Sequence, residues 1–153
     1  MEKIAHQIEV TVFSKEDEDG EQIKKGFLRL FPFDLSSEKV KLLEDTALGF
    51  NEKKIKIYKA ILSKNRHTKQ FLENLVSLMD KIDIEMVKKQ LESRLDDHNH
   101  FFIRFDKKNW LEKKTKITDK GNCYHIKISV AAFPATRDNA KAIIEKLLNK
   151  ETR

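Results

Sequence analysis

Cations are the residues of this chain best placed to do chemistry. Lys53, Lys54, Lys56, Lys59, Lys64, Arg66 and Lys69 share a stretch that holds no acidic residue. Lys107, Lys108, Lys113, Lys114, Lys116, Lys120 and Lys127 form a second run, interrupted only by Glu112 and Asp119. The net charge of +6 is uneven: −4 over residues 1–50, +3 over 51–100 and +7 over 101–153. Positive charge gathered in runs favours a polyanion, with affinity carried by phosphate neutralisation and therefore sensitive to salt. The competing reading is a solvated lysine-rich surface that binds nothing.

Other constellations are weaker. Asp97-His98-Asn99-His100 and Cys123-Tyr124-His125 each set two metal-ligand types two residues apart, which on a strand point the same way. Zinc sites usually carry Cys-x-x-Cys or His-x-x-x-His spacing, absent here, so exposed strand-end histidines are the stronger reading and no cofactor is expected. Asp96, Asp97, Asp106, Asp119 and Asp138 would have to converge to serve a metal-dependent nuclease. Plainer roles exist: Asp119 suits a turn, Asp138 the first turn of a helix, and Asp96 with Asp97 a helix end. No nucleophile setting and no glycine-rich phosphate loop occurs. A non-enzymatic protein is expected.

The elements that must position these side chains are legible from periodicity. Residues 122–146 read as a strand running into a helix: Tyr124, Ile126, Ile128, Val130 and Ala132 alternate with His125, Lys127 and Ser129, then Pro134 ends the ladder. Thr136 suits the N-cap of a helix whose stripe is Ala140, Ile143, Ile144, Leu147 and Leu148. Upstream, Ile4, His6, Ile8, Val10 and Val12 share one phase of a first strand. An acidic turn over Lys15–Gly20 leads to a helix bearing Ile23, Phe27, Leu28 and Phe31, stopped by Pro32. Val40–Gly49 reads weakly as a strand and Ile55–Leu62 more firmly, with a change of phase that suggests a bulge or burial on both faces. Helical spacing follows over Phe71–Met79, and again after Asp83 as N-cap with Ile84, Val87, Leu91 and Leu95. Phe101, Ile103 and Phe105 mark a strand, Leu111–Thr118 another, and Asp119–Asn122 a hairpin turn. The order βαββααβββα implies an α+β protein of two layers, a mainly antiparallel sheet with helices packed on one face.

A chain of 153 residues suits one domain, here 1–153. The single cysteine excludes an internal disulfide, and no apolar run reaches the length of a membrane span. A soluble, cytoplasmic protein without a membrane partner is expected.

The wet face of such a sheet presents Gln7, Glu9 and Thr11, then Arg104, then His125, Lys127 and Ser129, with Phe13 and Phe102 in the same phase. Aromatic and cationic side chains on an open sheet are what single-stranded RNA recognition uses. The alternative is that a loop or a second subunit covers the phenylalanines.

Three segments carry a family resemblance. Ala5-His6-Gln7-Ile8-Glu9-Val10-Thr11-Val12-Phe13 with its acidic turn is one. Arg94-Leu95-Asp96-Asp97 with Phe102-Ile103-Arg104-Phe105-Asp106-Lys107 is another, and Ile126-Lys127-Ile128 through Ala132-Phe133-Pro134-Ala135 and Arg137 the third. Together they resemble a small archaeal RNA-binding protein family described as predicted exosome-associated subunits. The resemblance implies a fold similar to that of the large-subunit ribosomal protein that binds 5S rRNA. Lys108 and the proline-free Asn51-Glu52-Lys53-Lys54 depart from the family pattern.

The expectation is an RNA-binding protein that grips backbone phosphates with Arg104, Lys107, Lys108, Lys113, Lys114, Lys116, Lys127 and Arg137. Lys53, Lys54, Lys56, Lys64, Arg66 and Lys69 would form an extended basic edge. Lysines act as point charges, so shape or single-strand preference is favoured over sequence reading. The rival class is a protein–protein assembly module, a homodimer or a subunit of an RNA-processing complex, in which a partner covers Phe13, Phe102 and Trp110.

Overall fold

The structure, a computed structural model, describes residues 3–149. In chain order the elements are β1 (Ala5–Lys15), α1 (Gly20–Arg29), β2 (Leu43–Leu48), β3 (Lys54–Leu62), α2 (Asn65–Leu78), α3 (Lys81–Lys89), α4 (Leu91–Arg94), β4 (His100–Asp106), α5 (Lys107–Leu111), β5 (Cys123–Val130) and α6 (Arg137–Asn149). The strands form one sheet in the order β2-β3-β1-β5-β4, every pairing antiparallel. The expected α+β class, with helices on one face of an antiparallel sheet, is the one observed.

Period-two patterning decides which face the helices cover. Ile8, Val10 and Val12 of β1 and Ile126 and Ile128 of β5 are buried with Phe101, Ile103 and Phe105 of β4. Against them lie Phe27 of α1, Phe71, Leu72 and Leu75 of α2, Val87 of α3 and Ile144 and Leu148 of α6. Each such side chain contributes about 1.5–3 kcal/mol on burial, whereas an exposed ion pair contributes about 0–1 kcal/mol. The helical face therefore sets the strand register, and the other face is left to carry polar groups.

Capping places the helix starts. Asp19 accepts a hydrogen bond from the Gln22 amide at 3.3 Å ahead of α1. Thr136 accepts one from the Asn139 amide at 3.2 Å ahead of α6, the N-cap expected of it.

The structure corrects three local expectations and decides between the two readings of β3. The β1–β5 register shifts between Ala5 and Gln7, so Ala5 is buried and His6 exposed, the reverse of an unbroken alternation. β3 pairs with β1 without interruption from Ile8↔Leu62 to Lys15↔Ile55, so of the two readings of its phase change the bulge is excluded and burial on both faces, partial on one, is what occurs. Its Ile55 and Ile57 lie half-buried on the open face, Ile57 opposite Phe13. Asp80, not Asp83, caps α3, accepting from the Asp83 amide at 2.8 Å.

Leu111–Thr118 is not a strand. Asp106 accepts from the Asn109 amide at 3.0 Å and starts α5. Trp110, 3% exposed, turns into the core and donates from Nε1 to the Gly26 carbonyl at 2.7 Å. Lys113 takes a φ of 63°, and only Ile117 bridges back to Phe105. A buried indole tied to α1 outweighs the modest strand propensity of this segment.

Candidate nucleic-acid interface

Register brings the open-face residues into rows. Arg104 stands opposite His125, His125 opposite Thr11, and Thr11 opposite Lys59. The next row holds Phe102, Lys127, Glu9 and Ile61, and the third His100, Ser129 and Gln7. Every residue assigned to the wet face from sequence is on this face. Phe13 is 50% exposed, whereas Trp110 is filled in by α1 and needs no partner subunit to cover it.

At the β4–β5 side the rows form a block of two cations and two rings. Phe102 and His125 lie 5.4 Å apart between ring centroids. His100 lies 6.5 Å from Phe102, and His98 lies 6.2 Å from His100. Among the described residues, no ion pair or side-chain hydrogen bond occupies Arg104 or Lys127. Glu9, which faces Lys127, has its carboxylate 3.3 Å from the Lys59 ammonium instead. Burial, followed by the charge of Arg104, holds the His125 imidazole below its usual range, with Lys127 adding to the effect and Glu9 opposing it. At neutral pH His125 is an uncharged ring.

Asp96 fixes the far end of this line. It accepts from the amides of His98 at 2.9 Å and His100 at 2.8 Å, and its second oxygen lies 3.0 Å from His100 Nδ1. Burial alone would raise its pKa, but these donors outweigh it and hold the carboxyl below the usual range.

The remaining expected phosphate ligands separate into groups. Lys108, Lys113, Lys114 and Lys116 are exposed beyond the end of β4. Lys53, Lys54 and Lys56 are exposed at the same end of the sheet, at the start of β3. The acidic turn after β1 stands between them: Glu16 accepts from the Lys54 amide at 3.1 Å, and Glu18 lies 3.1 Å from the Lys107 ammonium. Lys64, Arg66 and Lys69 follow the far end of β3, a strand of nine residues and so about 30 Å long. Arg66 pairs with Glu38 at 2.9 Å in a cleft of about 810 Å³ on the helical side. β3 is an interior strand, so the run 53–69 makes no continuous basic edge.

Two expected ligands serve the fold. Lys107 is 3% exposed and its ammonium donates to the Phe13 carbonyl at 2.6 Å as well as meeting Glu18. Arg137 donates to the Glu92 carbonyl at 2.7 Å and the Leu95 carbonyl at 3.0 Å, and pairs with the Glu92 carboxylate at 2.9 Å. It ties α6 to α4. Arg94, buried, likewise bonds Gln90, the Phe102 carbonyl and Asp119.

His98 and His100, metal-ligand candidates by sequence, instead extend a line of rings from Phe102, His100 beside Phe102 and His98 beside His100. The signal was partial, since 100 and 102 share one strand phase, whereas His98 lies in the turn before β4, where Asn99 takes a φ of 60°. Among the described residues no group of three or more His, Cys, Asp or Glu is placed to hold a metal ion. Burial pushes the Cys123 thiol up, the wrong direction for a nucleophile. No described helix is long and apolar enough to cross a membrane.

Over 147 residues, 96% of each chain, the protein is 28% identical to RNA-binding protein PAB1135 of Pyrococcus abyssi. Its fold is similar to that of AF2318 from Archaeoglobus fulgidus, with a TM-score of 0.82 and 24% identity over 95% of this chain and 99% of that one. Mth689 of Methanothermobacter thermautotrophicus, a DUF54 protein, gives a TM-score of 0.76 and 25% identity over 95% of this chain and 98% of that one. The model of the RNA-binding family matches residues 7–131, and the chain belongs to that family.

Proposed function

We propose that this protein is a non-enzymatic, cytoplasmic RNA-binding protein of one domain that holds backbone phosphates with Arg104 and Lys127 on the open sheet face. Lys108, Lys113, Lys114 and Lys116 extend the contact beyond the end of β4. The observation that carries this reading is the uncovered block of Arg104, Lys127, Phe102 and His125, whose two cations have no acidic partner among the described residues. Family membership and the name of the Pyrococcus relative support RNA as the ligand class. The resemblance adds two further parts to the reading: a likeness to the ribosomal protein that binds 5S rRNA, and service in an exosome-type RNA-processing or degradation complex.

A second reading, docking on a protein partner or on a second copy, is supported by Phe133, 97% exposed in the turn after β5. Filter binding with mixed cellular RNA at low salt tests the first reading. Binding in the micromolar range is expected, with Arg104→Glu plus Lys127→Glu reducing it at least tenfold. Undetectable binding, or binding indifferent to that double reversal, overturns it. A stable dimer in sizing chromatography, abolished by Phe133→Ser, would favour the second reading.

A further inference from the structure

We infer that the ring line His98–His100–Phe102–His125 is a stacking platform for unpaired bases, which makes single-stranded RNA the ligand of the open face. This rests on the RNA-binding reading and specifies it. Three observations carry it. The first is spacing. Successive ring centroids lie 6.2, 6.5 and 5.4 Å apart, whereas bases stacked in a duplex rise ~3.4 Å. Rings at about 1.6 to 1.9 times that interval fit bases splayed apart along a strand, the form in which RNA is read by stacking.

The second is orientation. Interplanar angles along the line are 53°, 73° and 40°, so no ring lies face to face against its neighbour. Asp96 holds the loop end of the line through the His98 and His100 amides and the His100 ring. The platform is thereby ordered before a ligand arrives, which lowers the entropic cost of binding.

The third is charge. Arg104 and Lys127 are the register partners of His125 and Phe102, one cation beside each of the last two rings of the line. A strand whose bases lie on the rings brings its phosphates within reach of both. Two carboxylates flanking the line are engaged, Asp96 with its loop and Glu9 with Lys59. A protein partner of acidic character would meet the two cations but would leave the rings without matching planar groups.

The experiment compares three probes of equal length on the full chain: single-stranded oligouridine RNA, an abasic ribose-phosphate oligomer and duplex RNA. The expected order is tightest binding to the single strand, with the abasic oligomer weaker by about tenfold or more, the size of one or two lost base–aromatic stacks. Phe102→Leu keeps the apolar bulk and removes the ring. It is expected to weaken the single strand about tenfold while leaving duplex affinity unchanged. His98→Ala alters an exposed side chain outside the core and provides a second variant that cannot fail by unfolding; a severalfold loss confined to the single strand is expected. Equal affinity for the abasic and base-bearing strands, or wild-type single-strand binding by both variants, overturns the stacking platform while leaving phosphate binding intact. Absence of binding to all three probes overturns the RNA reading itself.

Discussion

At the residue scale, neighbouring lysines have opposite fates. Lys107 is buried against Glu18 and the Phe13 carbonyl, while Lys108 is exposed one position on. The sequence shows two adjacent ammonium groups, and only the start of α5 decides which of them turns inward. The same holds for the family-like segments. Arg94, Asp96, Lys107 and Arg137 hold loops and helices in place, whereas Phe102 and Arg104 from the middle segment face outward. Strand alternation separated those two correctly, because period two is a local property. Burial of long polar side chains is not local, and no spacing announces it.

A buried carboxylate supplies a stability prediction at this scale. Asp83 is 6% exposed, and its Oδ2 is buried without a hydrogen-bond partner among the described residues. Burial first, then the charge of Asp80, raise its pKa, and the nearby Ile117 amide and Thr115 hydroxyl offset this only in part. A carboxyl whose folded pKa lies above its unfolded one favours folding below the unfolded value. That contribution is lost as pH rises through the folded pKa, so the ionised group burdens the fold at neutral pH. Asp83→Asn should therefore raise stability at pH 7 by about 1 kcal/mol, within the range for a buried unsatisfied group. The gain should vanish below about pH 4, where the parent carboxyl is protonated too. Thermal melts at the two pH values check this. A variant less stable at pH 7 would mean that attraction of the charge to the start of α3 outweighs its burial.

At the element scale, α1 is seated by a contact that only glycine permits. A Cβ on Gly26 would lie 2.4 Å from Tyr124 Oη and 3.2 Å from Leu111 Cδ2. The Tyr124 ring is fully buried and its hydroxyl donates to the Ile23 carbonyl at 2.9 Å, so it cannot swing aside. In an exposed helix Gly→Ala stabilises by about 1 kcal/mol. Here overpacking reverses the sign, and Gly26→Ala should destabilise by about 1–3 kcal/mol, read as a lower urea midpoint at unchanged slope. An equal or higher midpoint would show that α1 is free to shift off β5. This seat also explains the largest departure from the expected element order. The strand predicted over 111–118 lost to Trp110, whose partner Gly26 is 84 residues away in sequence. The amphipathic strands and helices were legible because their periods are local; the α5 turn was not, because its cause is tertiary.

At the scale of the whole molecule, the charge gradient along the chain does not become a gradient across the surface. The acidic turn after β1 reaches both lysine groups at that end of the sheet, touching the Lys54 amide and the Lys107 ammonium. In the proposed interface the cations counted as phosphate contacts are Arg104, Lys127, Lys108, Lys113, Lys114 and Lys116, the strand reaching past α5 to Lys113, which lines a cleft with Arg29 and Asn74. For single strands, log K falls with log salt at about 0.7 per neutralised phosphate. Six contacts give a slope of about −4. Arg104→Gln with Lys127→Gln should bring it to about −2.8, and neutralising the four lysines after β4 to about −1.4, each step set by the number of contacts removed. Lys53→Gln, Lys54→Gln and Lys56→Gln together should leave the slope unchanged, because those three lie across the acidic turn from the ring line. A slope that falls by about 2 for this last set would place the strand along the start of β3 and move the interface off the β4–β5 side.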